Sequence, residues 1–150
     1  MKRVSNSAAE TEQIGHELGR RLKAGDVVAL FGDLGTGKTT LVRGIARAFG
    51  ISGRDVTSAS FTIIAEYCSV PAFFHIDLYR VEKEEDVDNT GVWGCIGRDS
   101  VAVIEWAEKL GSLTADFIKV SLKDIGEDRR EISVEGLNNE DRNNQQARQS

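Results

Sequence analysis

Between an apolar run ending at Phe31 and an amphipathic pattern beginning at Leu41 lies GDLGTGKT, Gly32 to Thr39, which fits the phosphate-loop spacing GxxxxGK[ST]. Gly35 and Gly37 let the chain curl until successive backbone N–H groups point inward. A helix opening near Lys38 adds the positive end of its dipole, and the two together cradle a di- or triphosphate. Lys38 supplies a mobile cation to the β- and γ-phosphates. The Thr39 hydroxyl is a ligand for Mg2+, and Thr40 faces the α-phosphate.

A phosphate loop that works with Mg2+ also needs a carboxylate at the end of a buried strand beside it. Two positions qualify: Glu105, closing VAVIE, and Asp77, closing FFHID. An acid at a strand end can also simply meet water, so each has a solvated alternative. The run before Glu105 is apolar on both faces, as a strand beside the loop strand should be. Thr57, Ser58, Ser60 and Thr62 follow the loop helix, where switch segments sit, although turn hydroxyls look the same. His75 lies on an apolar strand and reads as a satisfied structural histidine rather than a catalyst. Trp106 belongs either to the core or over the nucleotide, and Arg80 reads as a surface residue.

The elements that must hold these groups are legible from spacing. SAAE, Ser7 to Glu10, has capping-box spacing and predicts a helix to about Lys23, burying Ile14, Leu18 and Leu22, with Gly25 ending it. Val27 to Phe31 is a short buried strand. Leu41, Val42, Ile45, Ala46 and Phe49 share one helical face, and Gly50 stops that helix. FTIIAEY and AFFHIDLY predict a hairpin whose turn holds Pro71, the only proline. EKEEDVDN reads as an acidic helical segment and TGVWGCIG as an irregular stretch in which Trp93 packs. VAVIEW is a second buried strand, and FIKVSL with RREISV a final antiparallel pair. The expected fold is α/β: a three-layer phosphate-loop NTPase architecture whose central sheet is mostly parallel, with antiparallel edge strands. Residues 1–136 form one domain, and the polar stretch 137–150 is expected to be a disordered tail.

Composition narrows the function classes. A chain of 150 residues with 40% hydrophobic and 29% charged residues is an ordinary globular protein. Its net charge of −5 argues against a free-standing RNA or DNA binder, which would show a basic excess. Cys68 and Cys95 form no CxxC pair and read as idle thiols of a reducing compartment. The N-terminus has no apolar core after Lys2 and Arg3, and no run approaches a membrane span, so a cytoplasmic protein is expected. Among phosphate-loop proteins, a GTPase is disfavoured because SLKD (Ser121 to Asp124) misses [NT]KxD and DNTG follows an acidic segment. A small-molecule kinase lacks its arginine-rich lid here.

From about Ser7 to Leu110, the order SAAET, GDVVALFGDLGTGKTTLVRGIARAFG, VTSASFTIIAEY, HIDLYR and VIEWAEKL resembles the bacterial TsaE (YjeE) family. HIDLYR followed by IEWAE at this separation is the specific part. The resemblance implies the ATPase component of the machinery that makes threonylcarbamoyladenosine beside the tRNA anticodon. It implies ATP and Mg2+ as cofactors and the TsaB and TsaD proteins as partners, with tRNA met only indirectly and neither DNA nor membrane involved. By position, Thr11 lies at the nucleotide, and Gly35, Thr36, Gly37, Lys38, Thr39 and Thr40 form the phosphate loop. Thr39 and Glu105 match the Mg2+ ligands, Asp77 an acid required for turnover together with Lys38, and Trp106 the tryptophan beside the glutamate. The family's usual SPTFT and EWPE stand here as SASFT and EWAE, without their prolines. A small-molecule kinase and a non-hydrolysing nucleotide-dependent binding module are the alternatives.

Overall fold

The apolar run Val27–Phe31 forms strand β2, its first four side chains buried on alternating faces of a sheet. The computed structural model describes residues 1–33, 35–56 and 64–137, the side chain of Glu84 excepted. The other strands are β1 (Lys2–Ser5), β3 (Ile64–Tyr67), β4 (Ala72–Asp77), β5 (Ser100–Glu105), β6 (Ile118–Gly126) and β7 (Arg129–Glu135). They make one seven-stranded sheet in the order β1-β7-β6-β2-β5-β4-β3. The centre, β6-β2-β5-β4, is parallel, and the outer pairings are antiparallel. The two antiparallel pairs expected from the sequence thus lie on opposite sides of the parallel centre, β3–β4 at one edge and β6–β7 flanked by β1 at the other. The segment Thr57–Thr62 and the tail from Asn138 lie outside the described residues.

Helices α1 (Ala8–Gly19) and α2 (Lys38–Arg47) cover one face. Ile14, Leu18, Leu41, Val42 and Ile45 pack there on Val28, Leu30, Val101, Val103 and Val120. Burying this much apolar surface is the main force holding the layers together. The Ser7 side chain caps α1 by accepting from the Glu10 amide, while the Glu10 carboxylate accepts from the amide of Asn6 rather than Ser7. The helix ends at Gly19, four residues before the predicted end. Tighter turns bonded from Arg21 to Leu18 and from Leu22 to Gly19 then carry Leu22 into the core.

Short pieces cover the opposite face: α3 (Glu84–Val87), and 3-10 segments at Asp88–Thr90, Val92–Cys95 and Ala107–Thr114. Val81, Val87, Val92, Ala107 and Leu110 from this layer close over Val27, Ala29, Ile76 and Ile104. Trp93 stays 36% exposed, with its indole N–H on Asp88. Both cysteines are free thiols. No helix among the described residues is long and apolar enough to cross a membrane.

Strand β1 was not expected from the sequence. Three of its four residues are exposed, so it shows too little apolar alternation to be read as a strand, and only pairing with β7 orders it. Its inward end, Ser5, is fully buried and places α1 through its hydroxyl contacts with Thr11 and Ser7.

Candidate functional site

Parallel strands end at the same side of a sheet, and ligands of open α/β folds gather outside those ends. Here β2 runs into the glycine loop. Leu30 sits opposite Glu105 on β5, and Glu105 opposite Asp77 on β4. The register therefore brings the loop and both strand-end acids to one place.

The loop is shaped by its own contacts. A side chain at Gly32 would meet the Leu122 carbonyl and the Thr36 hydroxyl at 2.8 Å. Thr36, 4% exposed, donates its hydroxyl to the Asp33 carbonyl at 2.8 Å. Gly37 caps α2 with a φ of 95°, a left-handed conformation that favours glycine. Gly37 offers no side-chain cap to α2 and no acid lies in the helix's first turn, the kind of helix start whose N–H groups suit an anion.

Lys38 is buried, with Nζ donating to the carbonyls of Gly32 and, at 3.0 Å, Asp33. Its ammonium lies 4.0 Å from the centroid of the Trp106 ring. Burial lowers the Lys38 pKa, and the surrounding charges of Glu105, Glu108, Asp77 and Asp33 oppose that shift. Trp106 follows β5 in a left-handed conformation, φ 59°, uncommon for a bulky residue. Backbone strain of about 1–3 kcal/mol persists where surrounding structure enforces it, often at functional sites. The Trp106 ring packs on Tyr79 at 5.1 Å, so the tryptophan lies beside the loop lysine and only partly in the core.

Thr39 donates its hydroxyl to the Glu105 carboxylate, at 3.2 and 3.4 Å from the two oxygens. Both are hard oxygen donors of the kind Mg2+ takes, and Mg2+ characteristically uses one or two protein groups plus substrate phosphates and water. No group of three or more His, Cys, Asp or Glu among the described residues could hold a metal by itself. Asp77 accepts the Tyr79 amide at 2.9 Å. Its pKa is raised, first by burial and then by the neighbouring Glu105 charge.

His75 departs from its sequence reading. It is fully buried, with Nε2 2.5 Å from Glu105 Oε2, and its Nδ1 has no hydrogen-bond partner among the described residues. It is thus joined to the site acid rather than satisfied structurally. Arg80 is exposed, as expected.

Thr11 lies where α1 meets the loop. Its methyl would lie 3.8 Å from a Cβ built on Gly37, while its hydroxyl is engaged by Ser5 and the Ser7 carbonyl. Thr11, Gly35, Gly37 and Thr40 line a cavity of about 470 Å3, together with Asp128 and Arg130. The last two escaped the sequence reading. They sit at and after the β6–β7 turn, and Arg130 joins the carboxylate of Asp124 at 3.3 Å to the Gly35 carbonyl at 3.5 Å. Only the parallel pairing of β6 with β2 reveals that this turn reaches the loop.

The chain matches the family model described as threonylcarbamoyl adenosine biosynthesis protein TsaE over residues 5–132. It is 38% identical over 135 residues to the tRNA threonylcarbamoyladenosine biosynthesis protein TsaE of Treponema pallidum, covering 89% of this chain and 99% of that one. The Bacillus subtilis protein of the same description is 37% identical over 132 residues, covering 87% and 82%. The crystal structure of Bacillus subtilis YdiB superposes with a TM-score of 0.71 at 32% identity, over 93% of this chain and 86% of the other.

Proposed function

Because the chain belongs to the TsaE family of tRNA threonylcarbamoyladenosine biosynthesis, we propose that it is the Mg2+-dependent ATPase of that machinery, acting in the cytoplasm on the TsaB–TsaD pair to support its catalytic cycle. The observation that carries this reading is the convergence of an uncapped phosphate loop, the Lys38 ammonium and the Thr39–Glu105 pair at the ends of β2 and β5.

In this reading the cavity beside Thr11, Thr40 and Arg130 takes the nucleoside side of ATP, and the loop amides of Gly35 to Thr40 take the phosphates. Lys38 exchanges its carbonyl partners for phosphate oxygens, and burial makes its charge more effective there. Thr39 and Glu105 would hold Mg2+, which would supply charge neutralisation to the phosphates. Asp77 lies one strand beyond Glu105 and orients the attacking water. Trp106, packed at a tilt against Tyr79, keeps Lys38 in place and shields it from bulk water.

An acidic chain does not suit direct tRNA binding, which supports action through protein partners. The test is steady-state ATP hydrolysis by the protein alone, with TsaB and TsaD, and with bare tRNA. Slow turnover alone and stimulation by the two proteins are expected. Stimulation by tRNA with no effect of the proteins would overturn this reading and indicate an RNA-directed ATPase.

A further inference from the structure

We propose that His75 is a positioning residue that holds the Glu105 carboxylate in its metal-binding orientation; this rests on the assignment of Glu105 as a Mg2+ ligand. The period of a strand puts Phe73, His75 and Asp77 on one face of β4, the face of β5 that carries Val101, Val103 and Glu105. His75 pairs in register with Val103, which makes Glu105 its diagonal neighbour, within reach of an imidazole. The contact is made by Nε2, 2.5 Å from Oε2, with the two side chains 0% and 3% exposed.

An ionised carboxylate can only accept hydrogen bonds, so the imidazole N–H and the Thr39 hydroxyl both donate to it. The two donors come from different elements, β4 and the first turn of α2, and together they stop the carboxylate from rotating. Its remaining lone pairs are left for a cation. A histidine serving only as core filler would be expected to satisfy both ring nitrogens, or to be replaced by an apolar side chain. Among the described residues nothing bonds the buried Nδ1, a cost that leucine at the same place would not incur. The bond to Glu105 is what accounts for a histidine at this position. Partners that orient metal-binding side chains typically change metal affinity or activity about 10–100-fold when removed.

The test compares His75→Leu, His75→Gln and His75→Asn. The readouts are ATP binding by calorimetry with and without Mg2+, and the Mg2+ concentration that half-saturates binding. Glutamine can place an N–H where Nε2 lies; asparagine places its amide nearer Nδ1. Expected is a rise of about 10–100-fold in half-saturating Mg2+ for His75→Leu and His75→Asn, near wild-type behaviour for His75→Gln, and little change in Mg2+-free ATP binding for all three. A packing role alone would lower the melting temperatures and leave the Mg2+ dependence untouched. That result, with Mg2+-dependent binding intact in the wild type, overturns the inference. If His75→Leu does not fold, equal Mg2+ dependence of the glutamine and asparagine variants overturns it. Mg2+-independent nucleotide binding by the wild type would instead defeat the assignment of Glu105 beneath it.

Discussion

Replacing Gly44 with alanine opposes helix propensity to helix packing. In the middle of a helix alanine is favoured over glycine by about 1 kcal/mol. On α2, however, a Cβ at position 44 would lie 1.9 Å from the backbone oxygen of Glu12 on α1. Ordinary contact begins at 3.4 Å, so the helices must part by about 1.5 Å (3.4 minus 1.9) at this point. The obstacle is backbone and cannot rotate away. On α1, Gly15 is pressed in the same way, its Cβ position 2.3 Å from the Leu41 carbonyl. A gap of even 0.5–1 Å forfeits roughly a quarter to a half of a dispersion contact, and Ile14, Leu18, Leu41 and Ile45 share this core. Overpacking costs about 1–3 kcal/mol, and a backbone clash belongs at the upper end. After the propensity gain of about 1 kcal/mol, the net loss is about 2 kcal/mol. For a chain of this size that lowers the melting temperature by about 4–8 °C. Because α1 carries Thr11 to the phosphate loop, nucleotide affinity should fall as well. Scanning calorimetry and urea titration would measure the stability. Gly94→Ala, with nothing within 4 Å of its Cβ position, is the control and should stay within about 0.5 kcal/mol of wild type. A Gly44→Ala protein melting at or above the wild type would refute the packing argument.

Lys38→Ala removes the cation at the loop and should reduce ATP turnover at least about 100-fold, as loss of a preorganised electrostatic contact does; wild-type activity would end the phosphate-loop reading. Asp77→Asn should spare nucleotide binding, slow hydrolysis and raise stability at neutral pH. The raised pKa of Asp77 means its favourable contribution is complete below the ordinary value of 3.8 and is lost as pH rises through the raised folded-state pKa. The variant should therefore melt above the wild type at pH 7.5, and the difference should vanish toward pH 3.8; a pH-independent difference would contradict this. Arg130→Ala should weaken binding of a fluorescent ATP analogue about tenfold, the value of one charge-assisted hydrogen bond, with turnover at saturation little changed. Unchanged affinity would remove the β6–β7 turn from the nucleotide site.

Anion binding by a phosphate loop depends on a few consecutive amides, two glycines and the helix they open, all encoded within Gly32 to Thr40. The sequence by itself therefore determined the loop, the helix α2 behind it and the buried strands either side. Burial on both faces similarly marked the run to Glu105 as a neighbour of the loop strand, where β5 lies. What local pattern could not supply was the pairing of distant segments. Register alone sets Asp77 opposite Glu105, and it alone turns His75 from a residue on an apolar strand into a donor to that acid 30 positions away. The exposed residues of β1 become a strand only against β7, and Asp128 and Arg130 reach the loop only because β6 runs parallel to β2. Gly15 and Gly44 look like weak points of two helices until those helices are packed. Their missing side chains are then what lets α1 approach closely enough to set Thr11 against Gly37. Short-range hydrogen bonding and hydrophobic period are written along the chain, whereas contacts across it exist only once the sheet and helices have closed on one another.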